Sequence, residues 1–129
     1  IAPGKRMLSS MSPTIVEENG KLRMVIGTPG GSTIITSVLQ CMLNVFEYGM
    51  TMQESVSKPR FHHQWLPDDV MFEPKGFDPA VIGKLRAKGY LPKEENFVII
   101  GRVDAILVDK DGTLEGGADP RGDDVAEGF

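Results

Sequence analysis

Two runs of β-type residues near the start of the chain, at 14–16 and 22–26, predict a hairpin over about residues 13–27. Between them lies Asn19-Gly20, a dipeptide that favours the left-handed backbone of a tight hairpin turn. A cluster of breaker residues, 28–32 (TPGGS), follows the second run. We therefore expect the second strand to end there and the chain to change direction.

The longest apolar segment predicts a helix from about residue 33 to residue 48. Its apolar side chains cover most of the helix circumference, so we expect burial on more than one side. Ser32 is the expected N-cap, and Gly49 is a natural residue to end the helix. A capping-box pattern at 51–54 then predicts a short second helix, which Pro59 stops.

The rest of the chain predicts short strands and one more helix. These are strands at 60–65 and 70–73, a helix from Asp78-Pro79 to about residue 88, strands at 97–100 and 102–108 or a single strand bulged at Gly101, and a last strand at 113–118. Because hairpins dominate, the predicted fold class is α+β, with a largely antiparallel sheet and helices packed on one face.

Composition narrows the possible functions. A length of 129 residues fits one domain, and 15 glycines with 9 prolines favour tight turns. The net charge of −4 and the absence of a basic run argue against nucleic acid or an anionic membrane as a partner. With a single cysteine, Cys41, no internal disulfide can form, and no stretch has the length of apolar sequence that a membrane span needs.

The glycine pair Gly30-Gly31 is the sharpest candidate for chemistry, because it lies between a predicted strand and a predicted buried helix. The first N–H groups of a helix lack intrahelical acceptors, and the helix dipole favours negative charge there. Such a turn can form an anion site or an oxyanion hole. Pattern alone, however, favours a plain strand-to-helix turn, since short glycine motifs recur by chance.

Two further polar pairs are candidates for a binding role. Ser9 and Ser10 can hydrogen-bond a carboxylate, although a solvated turn is the more common use of such residues. His62 and His63 would face opposite sides of a strand, so they cannot easily share a metal ion, and further ligands at metal-site spacing are missing. We predict no metal and no cofactor.

Four segments taken together resemble the small subunit of γ-glutamyltranspeptidases. They occur in that family's order and span nearly the whole chain: residues 4–14 (GKRMLSSMSPT), 27–35 (GTPGGSTII), 59–67 (PRFHHQWLP) and 117–121 (GADPR). A single match would be weak, but four in register are specific.

The resemblance implies an N-terminal-nucleophile hydrolase with a four-layer αββα sandwich, cut from a precursor into a large and a small subunit. The small subunit's new N-terminal Thr would attack the γ-carbonyl of glutathione or another γ-glutamyl amide. Water, an amino acid or a peptide would then accept the γ-glutamyl group. By the same resemblance, Ser9 and Ser10 bind the substrate's α-carboxylate, and Gly30 and Gly31 form the oxyanion hole.

Residue 1 is Ile, which has no nucleophilic atom, and only eight residues precede Ser9. We therefore expect residues 1–129 to be one domain, the C-terminal part of the small subunit, inactive alone and able to self-associate through exposed apolar faces. The parent would be the enzyme, with the large subunit as partner and a periplasmic, secreted or cell-surface location by family resemblance. A related acylase on the same scaffold and a non-catalytic anion-binding domain remain the alternatives. The segment 61–65 (FHHQW) resembles the γ-glutamyltranspeptidase branch more than a relative on the same scaffold, and an upstream Thr in the gene would favour catalysis over the binding domain.

Overall fold

The computed structural model describes residues 2–7, 11–94 and 99–128. In chain order the elements are β1 (Thr14–Glu18), β2 (Lys21–Gly27), α1 (Thr33–Phe46), α2 (Met52–Ser57), β3 (Phe61–His63), β4 (Val70–Phe72), α3 (Pro79–Ala87), β5 (Pro92–Glu94), β6 (Asp104–Val108) and β7 (Leu114–Gly117). None of the helices in these ranges is long and apolar enough to cross a membrane.

The larger sheet has the strand order β1-β2-β6-β7 and is antiparallel throughout. The predicted hairpin is confirmed, since β1 and β2 flank Asn19 and Gly20, whose φ angles are 53° and 75°. Strand β2 also pairs with β6, placing Met24 opposite Leu107. This pairing brings the C-terminal strands beside the Gly-Gly turn, which follows directly from β2.

The main core lies between one face of this sheet and helices α1 and α2. It contains alternate residues of β2 and β6 and residues of α1 at helical spacing: Met24, Ile26, Ala105, Leu107, Ile34, Val38, Cys41 and Val45. The expectation that α1 is buried on more than one side is wrong within this chain. A second apolar stripe on α1 (Ile35, Leu39, Leu43 and Phe46) is exposed, because no described element packs against it.

A smaller sheet, β3-β4-β5, packs against α3 through Val70, Phe72 and Ile82. Strand β5 is a correction to the sequence analysis, which predicted no strand there. It pairs parallel to β4, and α3 is the crossover between them. A three-residue strand is too short to show alternation, so only pairing with β4 defines it.

The predicted strands at 97–100 and 102–108 are corrected in part. Phe97 and Val98 lie outside the described residues, and β6 begins only at Asp104. Residues 99–103 form a loop instead, because the carbonyl group of Ile100 accepts hydrogen bonds from two side chains and not from a neighbouring strand. We call this segment the 99–103 loop.

Candidate functional site

The Gly-Gly turn (residues 29–32) joins the end of β2 to the start of α1. The N–H of Thr33 donates to the carbonyl of Gly30 (3.1 Å), and that of Ile34 donates to the carbonyl of Gly31 (3.3 Å). Gly30 has φ 144° and Gly31 has φ 59°, values that side-chain-bearing residues rarely adopt. The two glycines therefore allow the chain to enter α1 through a turn that other residues would strain.

The backbone amides of this turn are available to a ligand. Among the described residues, the N–H groups of Gly30 and Gly31 donate to no acceptor in the chain. Ser32 occupies the N-cap position as predicted, but its φ and ψ are already helical and its hydroxyl makes no capping hydrogen bond. Both predicted oxyanion amides therefore lie unpaired at the N-terminal end of a 14-residue helix.

A cavity of about 220 Å³ adjoins the turn, lined by Pro29, Gly30, Ile99, Gly101 and Arg102. Two backbones approach closely here, because a Cβ on Gly30 would lie 3.4 Å from the Cα of Gly101. The cavity therefore depends on the 99–103 loop as much as on the Gly-Gly turn, and the sequence analysis assigned that loop no functional role.

Two hydroxyl side chains that flank the Gly-Gly turn, those of Thr28 and Ser37, contact the 99–103 loop. Thr28 Oγ1 accepts a hydrogen bond from the N–H of Arg102 (2.7 Å) and donates to the carbonyl of Pro29 (2.7 Å). Ser37 Oγ, on the first turns of α1, lies within hydrogen-bonding distance of the carbonyl groups of Thr33 and Ile100. The Thr28 hydroxyl thus connects the segment after β2 to the 99–103 loop, and the Ser37 hydroxyl connects α1 to the same loop.

Beneath the cavity lies Arg60, a fully buried arginine. Its guanidinium donates to the carbonyl groups of Ile100 (2.6 Å), Val56 (3.0 Å) and Gly101 (3.3 Å). It also forms an ion pair with the buried carboxylate of Asp119. Arg60 therefore fixes two consecutive carbonyl groups of the loop that lines the cavity.

A second arginine extends this network. Arg121 donates to Asp119 Oδ1 (2.8 Å) and, through two nitrogens, to Glu73 (2.7 and 2.5 Å). Burial raises the pKa of Asp119, but hydrogen bonds from Val103, Arg121 and Arg60 outweigh it and hold that pKa below its ordinary value. We call Arg60, Asp119, Arg121 and Glu73 the arginine network.

Sequence reasoning gave the arginine network no role. The available signal was that Arg60 lies in the segment 59–67, and Asp119 and Arg121 in the segment 117–121, both of which carried the family resemblance. No pattern within either segment indicates that the two segments meet in the fold, since 59 positions separate Arg60 from Asp119.

The remaining candidates are placed as follows. Ser9 and Ser10 lie outside the described residues, so their predicted role stays a prediction. The expectation that His62 and His63 face opposite sides is confirmed: His62 is buried and its ring contacts Thr36 Oγ1 (2.8 Å), while His63 lies outside the core and pairs with Asp68 (2.8 Å). In the described ranges no group of three or more His, Cys, Asp or Glu side chains is arranged to hold a metal ion.

The chain matches known proteins over its whole length. A family model described as Gamma-glutamyltranspeptidase matches residues 1–129. The glutathione hydrolase proenzyme of Escherichia coli (strain K12) is 48% identical over 130 residues, covering 100% of this chain and 22% of that protein. The chain thus spans about a fifth of the length of that relative.

Two solved structures show the same fold. A mutant γ-glutamyltranspeptidase of Helicobacter pylori matches with a TM-score of 0.85 at 46% identity, covering 95% of this chain and 66% of that one. The γ-glutamyltranspeptidase of Pseudomonas nitroreducens complexed with L-DON matches with a TM-score of 0.87 at 40% identity, covering 100% of this chain and 67% of that one. The predicted α+β class, as part of an N-terminal-nucleophile hydrolase sandwich, is confirmed.

Proposed function

The chain belongs to the γ-glutamyltranspeptidase family, and we propose on that ground that the complete protein cleaves γ-glutamyl amides such as glutathione. It passes the γ-glutamyl group to water or to an amino acid or peptide. The observation that carries the proposal is that, among the described residues, the amides of Gly30 and Gly31 at the start of α1 donate to no acceptor, and that Gly30 lines a cavity of about 220 Å³.

In this reaction an N-terminal Thr, expected in the complete protein, attacks the γ-carbonyl carbon. The carbonyl oxygen gains negative charge in the tetrahedral intermediate, and the N–H groups of Gly30 and Gly31 donate to it. The C–N bond then breaks, the amine leaves with the proton that the Thr hydroxyl gave up to the Thr α-amino group during the attack, and a γ-glutamyl ester remains on the Thr. Attack by water or an acceptor amine releases the γ-glutamyl product. Ser9 and Ser10 hold the α-carboxylate of the γ-glutamyl group in this proposal.

Two exposed apolar surfaces support a larger parent protein. On the outer face of the four-stranded sheet, Ile15, Val25 and Ile106 lie side by side in register and are 42–67% exposed. The exposed stripe on α1 is the second surface. Such faces are unusual on a stable monomer. We propose that the large subunit and the rest of the sandwich cover them, and that the chain alone self-associates. A periplasmic, secreted or cell-surface location is part of the same proposal.

The oxyanion assignment is tested in the complete enzyme with Gly31→Val and Gly31→Asn. A Cβ at Gly31 would meet no atom within 4 Å, so the obstacle to valine is the positive φ, which Asn tolerates far better. Valine should move the Gly31 amide and lower the acylation rate by about 10²–10³-fold, the cost of one oxyanion donor. Asn should retain most of the rate, and the KM for a γ-glutamyl anilide should change little.

Gly112→Val is the matched control. Gly112 also has a positive φ (91°) and open space, but it lies in the turn between β6 and β7. It should lose stability and keep the acylation rate. If Gly31→Val acylates normally, or if Gly112→Val loses as much rate, the oxyanion assignment is wrong. If the complete wild-type protein binds anions but turns over no γ-glutamyl anilide, the alternative of a non-catalytic binding domain replaces this proposal.

A further inference from the structure

Arg102 is an exposed cation that lines the cavity beside Gly30. In the part of the chain that the structure describes, its guanidinium makes no hydrogen bond and no ion pair, although its backbone N–H is bonded to Thr28. The other cavity-lining residues, Pro29, Gly30, Ile99 and Gly101, carry no charge. Among the described residues, Arg102 is therefore the one charged group that lines the cavity, and its guanidinium has no anionic partner there.

The backbone that carries Arg102 is fixed on both sides. The carbonyl of Gly101 accepts from Arg60 (3.3 Å), and the N–H of Val103 donates to Asp119 (2.8 Å). The N–H of Arg102 itself is held by Thr28 (2.7 Å). A fixed backbone limits the entropy lost when the side chain binds a ligand, so this arginine is partly preorganised.

We propose that Arg102 binds the free carboxylate of the amino acid or peptide on the leaving side of the scissile bond, and the carboxylate of the acceptor that later occupies the same place. The inference rests on the proposed function, because the amides of Gly30 and Gly31 then mark the position of the scissile carbonyl. A guanidinium pairs bidentately with a carboxylate, which makes arginine suited to this role.

The leaving group spans only a short distance between the scissile carbonyl and its own carboxylate. A dipeptide leaving group extends roughly 7 Å from the scissile carbonyl to its terminal carboxylate, at about 3.3–3.6 Å per residue. The cavity has both Gly30 and Arg102 in its lining, so the position expected for the scissile carbonyl and the Arg102 side chain border the same space. In the proposed function Ser9 and Ser10 bind the α-carboxylate at the other end of the substrate, and we assign Arg102 to the leaving side.

The experiment compares the complete wild-type enzyme with Arg102→Gln, Arg102→Lys and the control Arg86→Gln. Arg86 is an exposed arginine on α3 that does not line the cavity. In the donor arm, kcat/KM for hydrolysis is measured with glutathione and with glutathione amidated at its glycine carboxylate. In the acceptor arm, transfer from a γ-glutamyl anilide is measured with glycylglycine and with glycylglycinamide.

We expect wild type and Arg86→Gln to favour the free carboxylate over the amide by about tenfold to hundredfold, the range for hydrogen bonds to a charged group. Arg102→Gln should bring this ratio close to one. Arg102→Lys should keep part of the preference, since lysine retains the positive charge but cannot pair bidentately with a carboxylate. If Arg102→Gln loses the preference for the free carboxylate only in the donor arm, Arg102 binds the leaving group. If it loses the preference only in the acceptor arm, Arg102 binds the acceptor. Either result supports the inference for that ligand.

Three outcomes overturn the inference while leaving the proposed function intact. In the first, wild type turns over both donors and both acceptors with equal efficiency. In the second, the preference survives in Arg102→Gln. In the third, Arg102→Gln lowers the kcat/KM of glutathione and of its amide by the same factor, which would place Arg102 on the γ-glutamyl side. If wild type turns over neither donor nor the anilide, the proposed function itself fails.

Discussion

Replacing Arg60 with methionine should destabilise the protein more than any surface change, because Arg60 is fully buried and serves several acceptors. The substitution leaves the carbonyl groups of Val56, Ile100 and Gly101 without this donor. It also leaves the buried carboxylate of Asp119 without one of its two arginines. Breaking one side of a buried ion pair typically costs about 3–5 kcal/mol.

For the 129-residue chain by itself, the expected change in melting temperature follows from its length. At about 2.1 cal/mol/K of unfolding entropy per residue, 129 residues give roughly 0.27 kcal/mol/K. A loss of about 3–5 kcal/mol then lowers Tm by roughly 11–18 °C. Thermal and urea denaturation followed by circular dichroism measure both quantities, and the urea slope shows whether unfolding stays two-state.

A double-mutant cycle separates the ion pair from general packing. Asp119→Asn removes the charge that Arg60→Met leaves uncompensated, so the double variant should lose less stability than the two single losses added together. The reasoning is refuted if Arg60→Met melts within about 2 °C of wild type, less than 1 kcal/mol on the same scale. Strictly additive losses would also contradict it, because they would mean that the two charges do not depend on each other.

Three further predictions concern stability. The folded pKa of Asp119 is below its ordinary value, so its stabilisation is fully present above about pH 4 and is lost as pH falls through the folded pKa; acid titration of the unfolding free energy should be flatter in Asp119→Asn. Gly83→Ala, inside α3 with open space around the new Cβ, should raise the unfolding free energy by about 0.5–1 kcal/mol. Gly49→Ala, at φ 66°, should lower it by about 1 kcal/mol. Chemical denaturation that gave both changes the same sign would contradict this. Thr51→Ala should cost about 1 kcal/mol because it removes a complete capping box, while Ser32→Ala, which removes no capping bond, should cost under half of that in the same assay.

Local signals in the sequence predicted the elements around the site. Asn19-Gly20 defined the first hairpin, and both Thr51 and Asp78 cap helices as expected. The Gly30-Gly31 pair predicted a strand-to-helix turn, and the structure has such a turn. These predictions succeeded because each depends on the conformational preference of a residue and its neighbours within about four positions.

The cavity and its supports were decided by tertiary structure. Arg102 meets Thr28 across 74 positions, and Arg60 meets Asp119 across 59. Strand pairing between β2 and β6 brings the first of these together, and packing of α2 against β6 and β7 brings the second. Hydrophobic periodicity specifies which face of an element is buried but not which distant element covers it. The sequence therefore determined the Gly-Gly turn, while only the fold placed the 99–103 loop and Arg102 beside it.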